Sequence, residues 1–471
     1  MSGSALISMS TRAHDVLVIG GGIGGLTVAH TIATRDPWAS VLLLEAGPRT
    51  GGQVATTVED GYTFEHGPSA ATLGAHDAGL LDELGLRSRA EQARPDATRG
   101  SLYVGGELHD IPRSPRQLVG SRLLSARGKL RTLAEPVVAR PATEDDESVH
   151  AFAARRFGHE FADVVAATAL QGITGGDAHR TSLRSLSPEL HALERSCGAG
   201  GLLGAIARRA RGASAHPLQG AFTLRDGGLQ VLVDALTDAL RGRLRLHARV
   251  VTLRRASGGY VVILDDGGAV VARQVVLALP ACAAAPLLED LEPGAAAALG
   301  EVRYCPLQVV GLGYPREAFR VMPRGLGFLV APREDVQIAG VTAASNLFPD
   351  QAPPGHVLVR AFAGGAYAPD AARDPAPVAV ARAVRALRMV YGVDGEPTFV
   401  LRAVWPQATP QYVPGHAARV EGIRRALDRH PGLELLPTAH TGVGLQATIA
   451  AARRLAGRVR GRAAVPAGSG S

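Results

Sequence analysis

DVLVIGGGIGGLTVAHTI occupies residues 15–32 and VLLLEAGPRTGG residues 41–52. The first opens with four apolar residues, 16–19, the length of a strand buried on both faces in a parallel sheet. Gly20, Gly22 and Gly25 then fall at G-x-G-x-x-G spacing, and the periodicity of an amphipathic helix begins at Leu26. A second apolar run, 41–44, ends in Glu45, twenty residues past Gly25. Strand, tight turn, helix, strand and acid in this order are the fingerprint of a dinucleotide site. Gly20 allows the turn, Gly22 lets the backbone approach a pyrophosphate, and Gly25 lets helix and strand pack closely. The helix N-terminus turns its free N–H groups to the phosphates, and Glu45 is placed to accept a ribose hydroxyl.

Beyond Glu45 the motif continues. Glu45, Arg49, Gly51 and Gly52 make E-x-x-x-R-x-G-G. A site for a nicotinamide cofactor alone has no use for this extension. A glycine pair beside a guanidinium lets backbone amides and an arginine meet a second phosphate or a ribityl chain, which points to FAD. The alternative is a plain turn with a surface arginine.

A chain of 471 residues is too long for one small core, so two domains, consecutive or interwoven, are expected. Hydrophobic residues make up 46% and mean hydropathy is +0.09, which marks a globular chain. Net charge is +7, but Lys129 is the sole lysine, and the arginines are scattered among 43 acidic residues. Such scatter describes a solvated surface, and no nucleic-acid partner is expected. Cys197, Cys282 and Cys305 form no C-x-x-C pair, which fits a reducing, cytoplasmic setting. Residues 1–13 lack the order of a signal peptide, with Met1 and Met9 both open as the start, and no long charge-free apolar run suggests a spanning helix. The histidines, among them His66, His109, His191 and His440, show no metal-ligand spacing, so no metal is expected, and no G-x-S-x-G marks a nucleophile.

The pattern along the chain predicts an α/β class: a Rossmann-like FAD-binding domain built from discontinuous segments, with an inserted α+β substrate domain that includes a helical subdomain. The cofactor-binding pieces are 14–90, 216–300 and 398–460. The helical insert, 91–215, begins with a hairpin turning on Gly105 and Gly106 and would face substrate and membrane. Strands and a helix at 301–397 complete the substrate domain, and 461–471 reads as a disordered tail. The expected elements include strands at 244–250 and 399–404 and helices at 149–157, 231–240, 377–391 and 417–429.

Residues 15–67 resemble the flavin-containing amine oxidase superfamily. LYVGGELHDIP (102–112), GITGGD (172–177), LRDGGLQVLVDAL (224–236), VVLALPA (275–281), GLGFLVA (325–331), WPQATPQYVPGH (405–416) and TGVGL (441–445) narrow the resemblance to the oxygen-dependent protoporphyrinogen oxidases. The segments occur in order over nearly the whole chain. The resemblance implies FAD, with Gly20, Gly22, Gly25, Glu45, Arg49, Gly51 and Gly52 around its adenosine and pyrophosphate. It implies the backbone of Val250 at adenine, Trp405 near the ring system, and Gly442, Val443 and Gly444 at the flavin's pyrimidine edge. There the dipole of the last helix would stabilise the anionic reduced flavin. It further implies Gly176 at the substrate face of the flavin, Leu326 and Leu329 sandwiching a tetrapyrrole ring, and Arg99, one position out of register, near a propionate. No catalytic side chain is implied.

The implied reaction is oxidation of protoporphyrinogen IX to protoporphyrin IX in haem biosynthesis, with molecular oxygen as acceptor. The more carboxylated coproporphyrinogen III is the alternative substrate. Two departures bear on this. Pro437 and Thr438 stand where the resembled family has Gly-Asn or Gly-Asp, and proline removes an N–H there. Ala447, Thr448 and Ile449 stand where relatives often show Asp-Cys-Ile. These leave a second reading, a divergent tetrapyrrole-binding paralogue with impaired flavin binding. The segment 118–133 is open between a docking face, for peripheral contact with the inner face of the cell membrane, and a soluble helical cap. A homodimer is compatible with the sequence.

Overall fold

The computed structural model describes residues 13–74, 77–112, 114–138, 145–197, 201–212, 220–436 and 444–459. Among these, two seven-stranded sheets organise the chain. In the first, Leu244–Arg245, Val41–Leu44, His14–Ile19, Ala269–Leu277 and Leu433–Leu435 lie side by side and parallel, the order of a Rossmann-type sheet. Val250–Ala256 and Gly259–Leu264 extend it as an antiparallel meander on the first half of Ala269–Leu277.

Burial on both faces explains the unbroken apolar runs. Val16, Val18, Val41, Leu43 and Val276 pack under the helices Ile23–Arg35, Gln230–Ala239 and Leu445–Arg458. Their neighbours Leu17, Ile19, Leu44, Val275 and Leu277 pack on the opposite face under Ala281–Leu288, Pro293–Gly300 and His416–Leu427. Each such Val or Leu contributes roughly 1.5–3 kcal/mol when fully buried.

The second sheet runs in the order Phe399–Pro410, Tyr304–Pro315, His356–Gly364, Gly340–Ala343, Gly327–Val330, Gly100–Val104, Glu107–Asp110. The helix Ala376–Tyr391 covers one face through Ala379, Ala383, Leu387 and Tyr391. The hairpin of Thr56–Glu59 and Tyr62–Glu65 covers the other. Its Phe64 and Tyr62 rings lie over Gly311 and Gly313, where an added Cβ would stand 2.5 Å from each ring. Glycine inside a strand here marks a close approach of rings to backbone.

Three expected boundaries move. The first helix begins at Ile23, not Leu26, so Gly24 and Gly25 lie in its first turn. There backbone meets backbone, since a Cβ on Gly25 would fall 1.9 Å from the Gly20 carbonyl oxygen. The strand expected at 244–250 splits, because His247 takes a left-handed φ of 51° and Val250 opens the next strand. The strand expected at 399–404 runs to Pro410 and pairs with Tyr304–Pro315, so the start of the 398–460 segment lies in the second sheet. Phe399 and Ala403 pack there beside Tyr62 and Phe64. The helices Val149–Phe157, Gln230–Ala239, Ala376–Tyr391 and His416–Leu427 stand within two residues of their expected bounds. No helix of the described residues is long and apolar enough to cross a membrane.

Residues 53–69 join the two sheets. The Gln53 amide donates to the carbonyls of Gln407 and Ala408 at 3.0 and 2.8 Å. The Trp405 ring N–H donates to the His66 carbonyl at 2.8 Å. Arg360, fully buried, donates to the Gly67 carbonyl at 2.7 Å and to the Ser69 hydroxyl. The buried Glu65 carboxylate accepts the Leu229 N–H at 2.8 Å and the Thr56 hydroxyl at 2.7 Å. Burial pushes Glu65 up to about 7, against the pull of those hydrogen bonds and of Arg360. Burial likewise pushes Arg360 down to about 10, against the pull of Glu65.

Arg360→Met leaves the buried Gly67 carbonyl and Ser69 hydroxyl without their donor, and should cost about 1–3 kcal/mol in denaturant unfolding. The pH dependence follows from the raised carboxyl. Between the ordinary value of 4.5 and about 7 the folded chain holds a proton that the unfolded chain has released. This group's contribution to stability therefore falls as pH rises through that window. Unfolding midpoints measured across it should decline less steeply in Glu65→Gln than in the unsubstituted chain.

Candidate functional site

The fingerprint glycines build a cradle walled by backbone. Gly20 has a φ of +108°, and a Cβ there would stand 2.4 Å from the Ala278 carbonyl oxygen. Gly22 differs. Its Cβ would meet nothing nearer than the Gly52 Cα at 4.0 Å, so that face is open. Gly51 and Gly52 take φ of +97° and +61°, and the Gly51 N–H donates to the Gly21 carbonyl at 2.8 Å. The two glycine turns thus face each other.

Glu45 closes the cradle from the side. Its two carboxylate oxygens accept the N–H groups of Gly21 and Gly47, each at 2.7 Å. A carboxylate has about four lone-pair directions, so two remain for hydroxyls. The Glu45 carbonyl accepts the Ala248 N–H at 2.9 Å, which draws Val250 and its strand alongside. Arg49 donates to the carbonyls of Thr50 and Gly52 at 3.0 and 2.8 Å and so shapes the glycine pair. Gly20, Gly22, Gly25, Glu45, Arg49, Gly51 and Gly52 are therefore brought together, with Val250 beside them.

Two helix N-termini point to this edge. The first helix is capped by Gly22 and the last, Leu445–Arg458, by Gly444, and neither cap offers a side chain to the free N–H groups. Arg35, at the end of the first helix, donates to the carbonyls of Ala456 and Val459 at the end of the last. The helices therefore run parallel, with both N-termini at one edge. First-turn N–H groups and helix dipoles of this orientation make such an edge electropositive. Burial, then the charges of Arg49 and Arg360, hold the His66 imidazole below the usual range. An anionic dinucleotide fits this edge. Gly442, Val443, Pro437 and Thr438 lie outside the described residues.

A cavity of about 850 Å³ lies at the other end of the second sheet, lined by Arg99, Arg122, Ile173, Leu326 and Leu329 among others. The Leu326 N–H donates to the Arg99 carbonyl at 2.6 Å, so arginine and leucine are placed as one unit. Leu329 rests on Gly172, where a Cβ would come 2.4 Å from it. Gly176 is not on this wall. It lies buried beyond the turn, its N–H donating to the Thr174 hydroxyl at 3.0 Å, under the Gln411 side chain. Trp405, expected near the cofactor's ring system and not on this wall, is half-buried against His66. The structure thus unites Arg99, Leu326 and Leu329 and leaves Gly176 and Trp405 in other surroundings. Glu65, Arg122 and Arg360 were not picked out by sequence. Single charged residues carry no spacing signal, whereas Gly172 and Ile173 lie within GITGGD.

The family model described as Flavin containing amine oxidoreductase matches residues 23–460. The chain is 32% identical over 460 residues to coproporphyrinogen III oxidase of Mycobacterium leprae (strain TN), covering 95% of this chain and 98% of that protein. It is 29% identical over 479 residues to the chloroplastic protoporphyrinogen oxidase of Nicotiana tabacum, covering 95% and 85%. The crystal structure of a provisionally assigned protoporphyrinogen oxidase from Exiguobacterium sp. 255-15 superposes with a TM-score of 0.81 at 25% identity, covering 96% and 99%. The family description makes the cofactor class a flavin.

The two glycines at the centre of the cradle should respond differently. Gly22→Ala should leave the melting temperature of the flavin-free protein unchanged and lower the flavin retained on purification. Gly25→Ala should do both kinds of damage, with about 1–3 kcal/mol lost from the flavin-free protein. Calorimetry and the absorbance of released flavin read the two effects separately.

Proposed function

The chain belongs to the flavin containing amine oxidoreductase family, and from that premise we propose that it is an FAD-dependent oxidase of a porphyrinogen. The observation that carries this reading is the cavity of about 850 Å³, apolar at Leu326, Leu329 and Ile173, with charged side chains of both signs beside them, Arg99 and Arg122 with Glu107 and Asp110. Its volume falls within the ~300–1,000 Å³ of small-molecule sites. A broad, largely apolar ring with carboxylates at its edge matches these walls. Leucines take the ring faces, and a guanidinium takes a carboxylate with two parallel hydrogen bonds.

FAD suits the cradle because two facing glycine turns leave backbone room for two phosphates, and Glu45 keeps lone pairs for a ribose. When bound, FAD supplies the hydride acceptor, and molecular oxygen returns it to the oxidised state with release of hydrogen peroxide. The protein's own residues bind, orient and exclude water. The uncapped helix N-termini at Gly22 and Gly444 favour negative charge beside them. No side chain is assigned as a general base. His109 lines the cavity, but its Nε2 lies 3.1 Å from the Val104 carbonyl, a contact that ties the ring to its own hairpin.

Protoporphyrinogen IX is the first substrate reading. One observation favours coproporphyrinogen III as the second: the relative that is 32% identical over 460 residues is a coproporphyrinogen III oxidase. Leu108, Ile111, Val119 and Leu130 expose apolar side chains on the hairpin and the short helices beside that cavity. They support peripheral contact with a membrane surface, from which a lipophilic substrate would enter.

The purified protein should be yellow, and its flavin should be released as FAD on denaturation. Porphyrin fluorescence should grow faster with one of the two porphyrinogens, which settles the substrate. Colourless protein that FAD cannot reconstitute would overturn the oxidase reading and leave the tetrapyrrole-binding one. Arg99→Ala should raise KM for the preferred substrate by roughly 10–100-fold, the worth of a charge-assisted hydrogen bond, and change kcat far less.

A further inference from the structure

The helical insert holds a grouping that neither the cradle nor the cavity uses. His150, Asp163 and His179 each place one ligand atom within 4.8 Å of the other two. They come from three segments: the first turn of Val149–Phe157, the π-helical turn Ala162–Ala166, and the turn after GITGGD. No short spacing links them, which is why the sequence shows no metal-ligand pattern.

The arrangement is built by the backbone. The His150 N–H donates to the Ala178 carbonyl at 2.9 Å, and the Val149 N–H to the Thr181 carbonyl at 2.8 Å. These bonds lay the start of one helix along the turn that carries His179. The Asp177 carboxylate fixes that turn, accepting the His179 N–H at 2.9 Å and the Tyr367 hydroxyl at 3.1 Å. The His150 and His179 rings stack with centroids 3.7 Å apart, and the His150 Nε2 lies 2.7 Å from an Asp163 oxygen. The other Asp163 oxygen is held 3.4 Å from the exposed Arg333 guanidinium, whose charge is screened by solvent. Asp163 itself sits in a π-turn, a rare insertion frequent at functional sites.

Two imidazoles and a carboxylate are the donor set of a borderline divalent cation, zinc foremost. Zinc bonds of about 2.0–2.2 Å keep its ligand atoms within about 4 Å of one another. For both imidazoles to ligate one ion, the stacked rings must turn out of parallel so that their in-plane lone pairs converge. His150 and Asp163 are part-buried and His179 is exposed, so a fourth position opens to water.

We propose that His150, Asp163 and His179 bind one divalent transition-metal ion, zinc by preference, with water as a further ligand. The ion pins the 177–181 turn to the helix that follows Ser148. That turn continues directly from Gly172 and Ile173 on the cavity wall, so the metal acts as a positioning element for that wall and takes no part in electron transfer.

The test is equilibrium dialysis of the untagged full-length protein against zinc alone, with thermal melts on the same samples. The unsubstituted chain should take up one more zinc than His179→Ala or Asp163→Asn, and zinc should raise its melting temperature but not theirs. Loss of a direct ligand should weaken binding by more than the roughly 10–100-fold typical of an outer partner. His159→Ala, whose ring lies 6.3 Å from that of His150 and outside the trio, should keep the extra zinc. Melts without zinc show whether each variant folds, and flavin content is read separately, so failure of the cofactor reading leaves this test intact. Equal zinc uptake by the unsubstituted chain and His179→Ala, including none by either, overturns the proposal.

Discussion

The carboxylate of Glu65 and the guanidinium of Arg360 are both taken out of water where the two sheets meet, at a penalty of several kcal/mol per ion before any partner is counted. The arrangement persists because each group holds backbone that nothing else reaches. Glu65 accepts the N–H of Leu229, just ahead of the helix Gln230–Ala239. Arg360 reaches from the second sheet to the carbonyl of Gly67. The glycine pair in RDGG follows from this contact. Gly228 has a φ of +63°, and a Cβ there would stand 2.3 Å from a Glu65 oxygen. Residues 53–69 are thereby fixed to both sheets at once.

The chemistry such a frame can support is set by backbone more than by side chains. At Gly20, Gly25, Gly51 and Gly67 an added Cβ would lie within 2.5 Å of a carbonyl oxygen, so four stretches of main chain touch without intervening atoms. What results is a wall of N–H groups and helix ends. Such a wall binds an anion well, and its one carboxylate named above, Glu45, is tied to the Gly21 and Gly47 N–H groups. A redox cofactor that brings its own reactive centre is the kind of ligand that suits it. At the cavity the logic continues: Gly172 exists so that Leu329 can lie on it, and Gly325 so that the chain can cross the Arg99 carbonyl at a distance where a Cβ would stand 2.0 Å away.

The parts legible in the sequence were those whose constraint is local. Strand, turn and helix around Gly20–Gly25 are specified within one stretch of chain, and so is the hairpin at Gly105 and Gly106. Where a partner from far along the chain decided the outcome, the sequence was silent or slightly wrong. The helix start at Ile23 depends on the Gly20 carbonyl against Gly25, a contact that periodicity cannot register. The strand Phe399–Pro410 has the apolar content of either sheet, and only its pairing with Tyr304–Pro315 assigns it. Glu65 and Arg360 are 295 positions apart by number, and His150, Asp163 and His179 come from three turns. Isolated charged and imidazole side chains carry no pattern until the fold supplies the neighbour.

The helical insert is held by a different kind of force from the sheets. Its apolar clusters are small, such as Phe152, Phe157, Leu183 and Leu202. Its order comes largely from buried polar contacts. Glu135 accepts the N–H groups of Leu202 and Leu203 at 3.0 and 3.2 Å, at the start of Gly201–Gly212, and pairs with the buried Arg156. Arg156 also donates to the Val138 carbonyl at 3.0 Å, and Arg155 bridges Glu147 and Glu194. Hydrophobic burial is non-directional and adds up over a whole core, whereas these contacts are few, directional and lost one segment at a time. The cavity takes its walls from both kinds of structure: Leu326, Phe328 and Leu329 from the second sheet, and Gly172 and Ile173 from the insert.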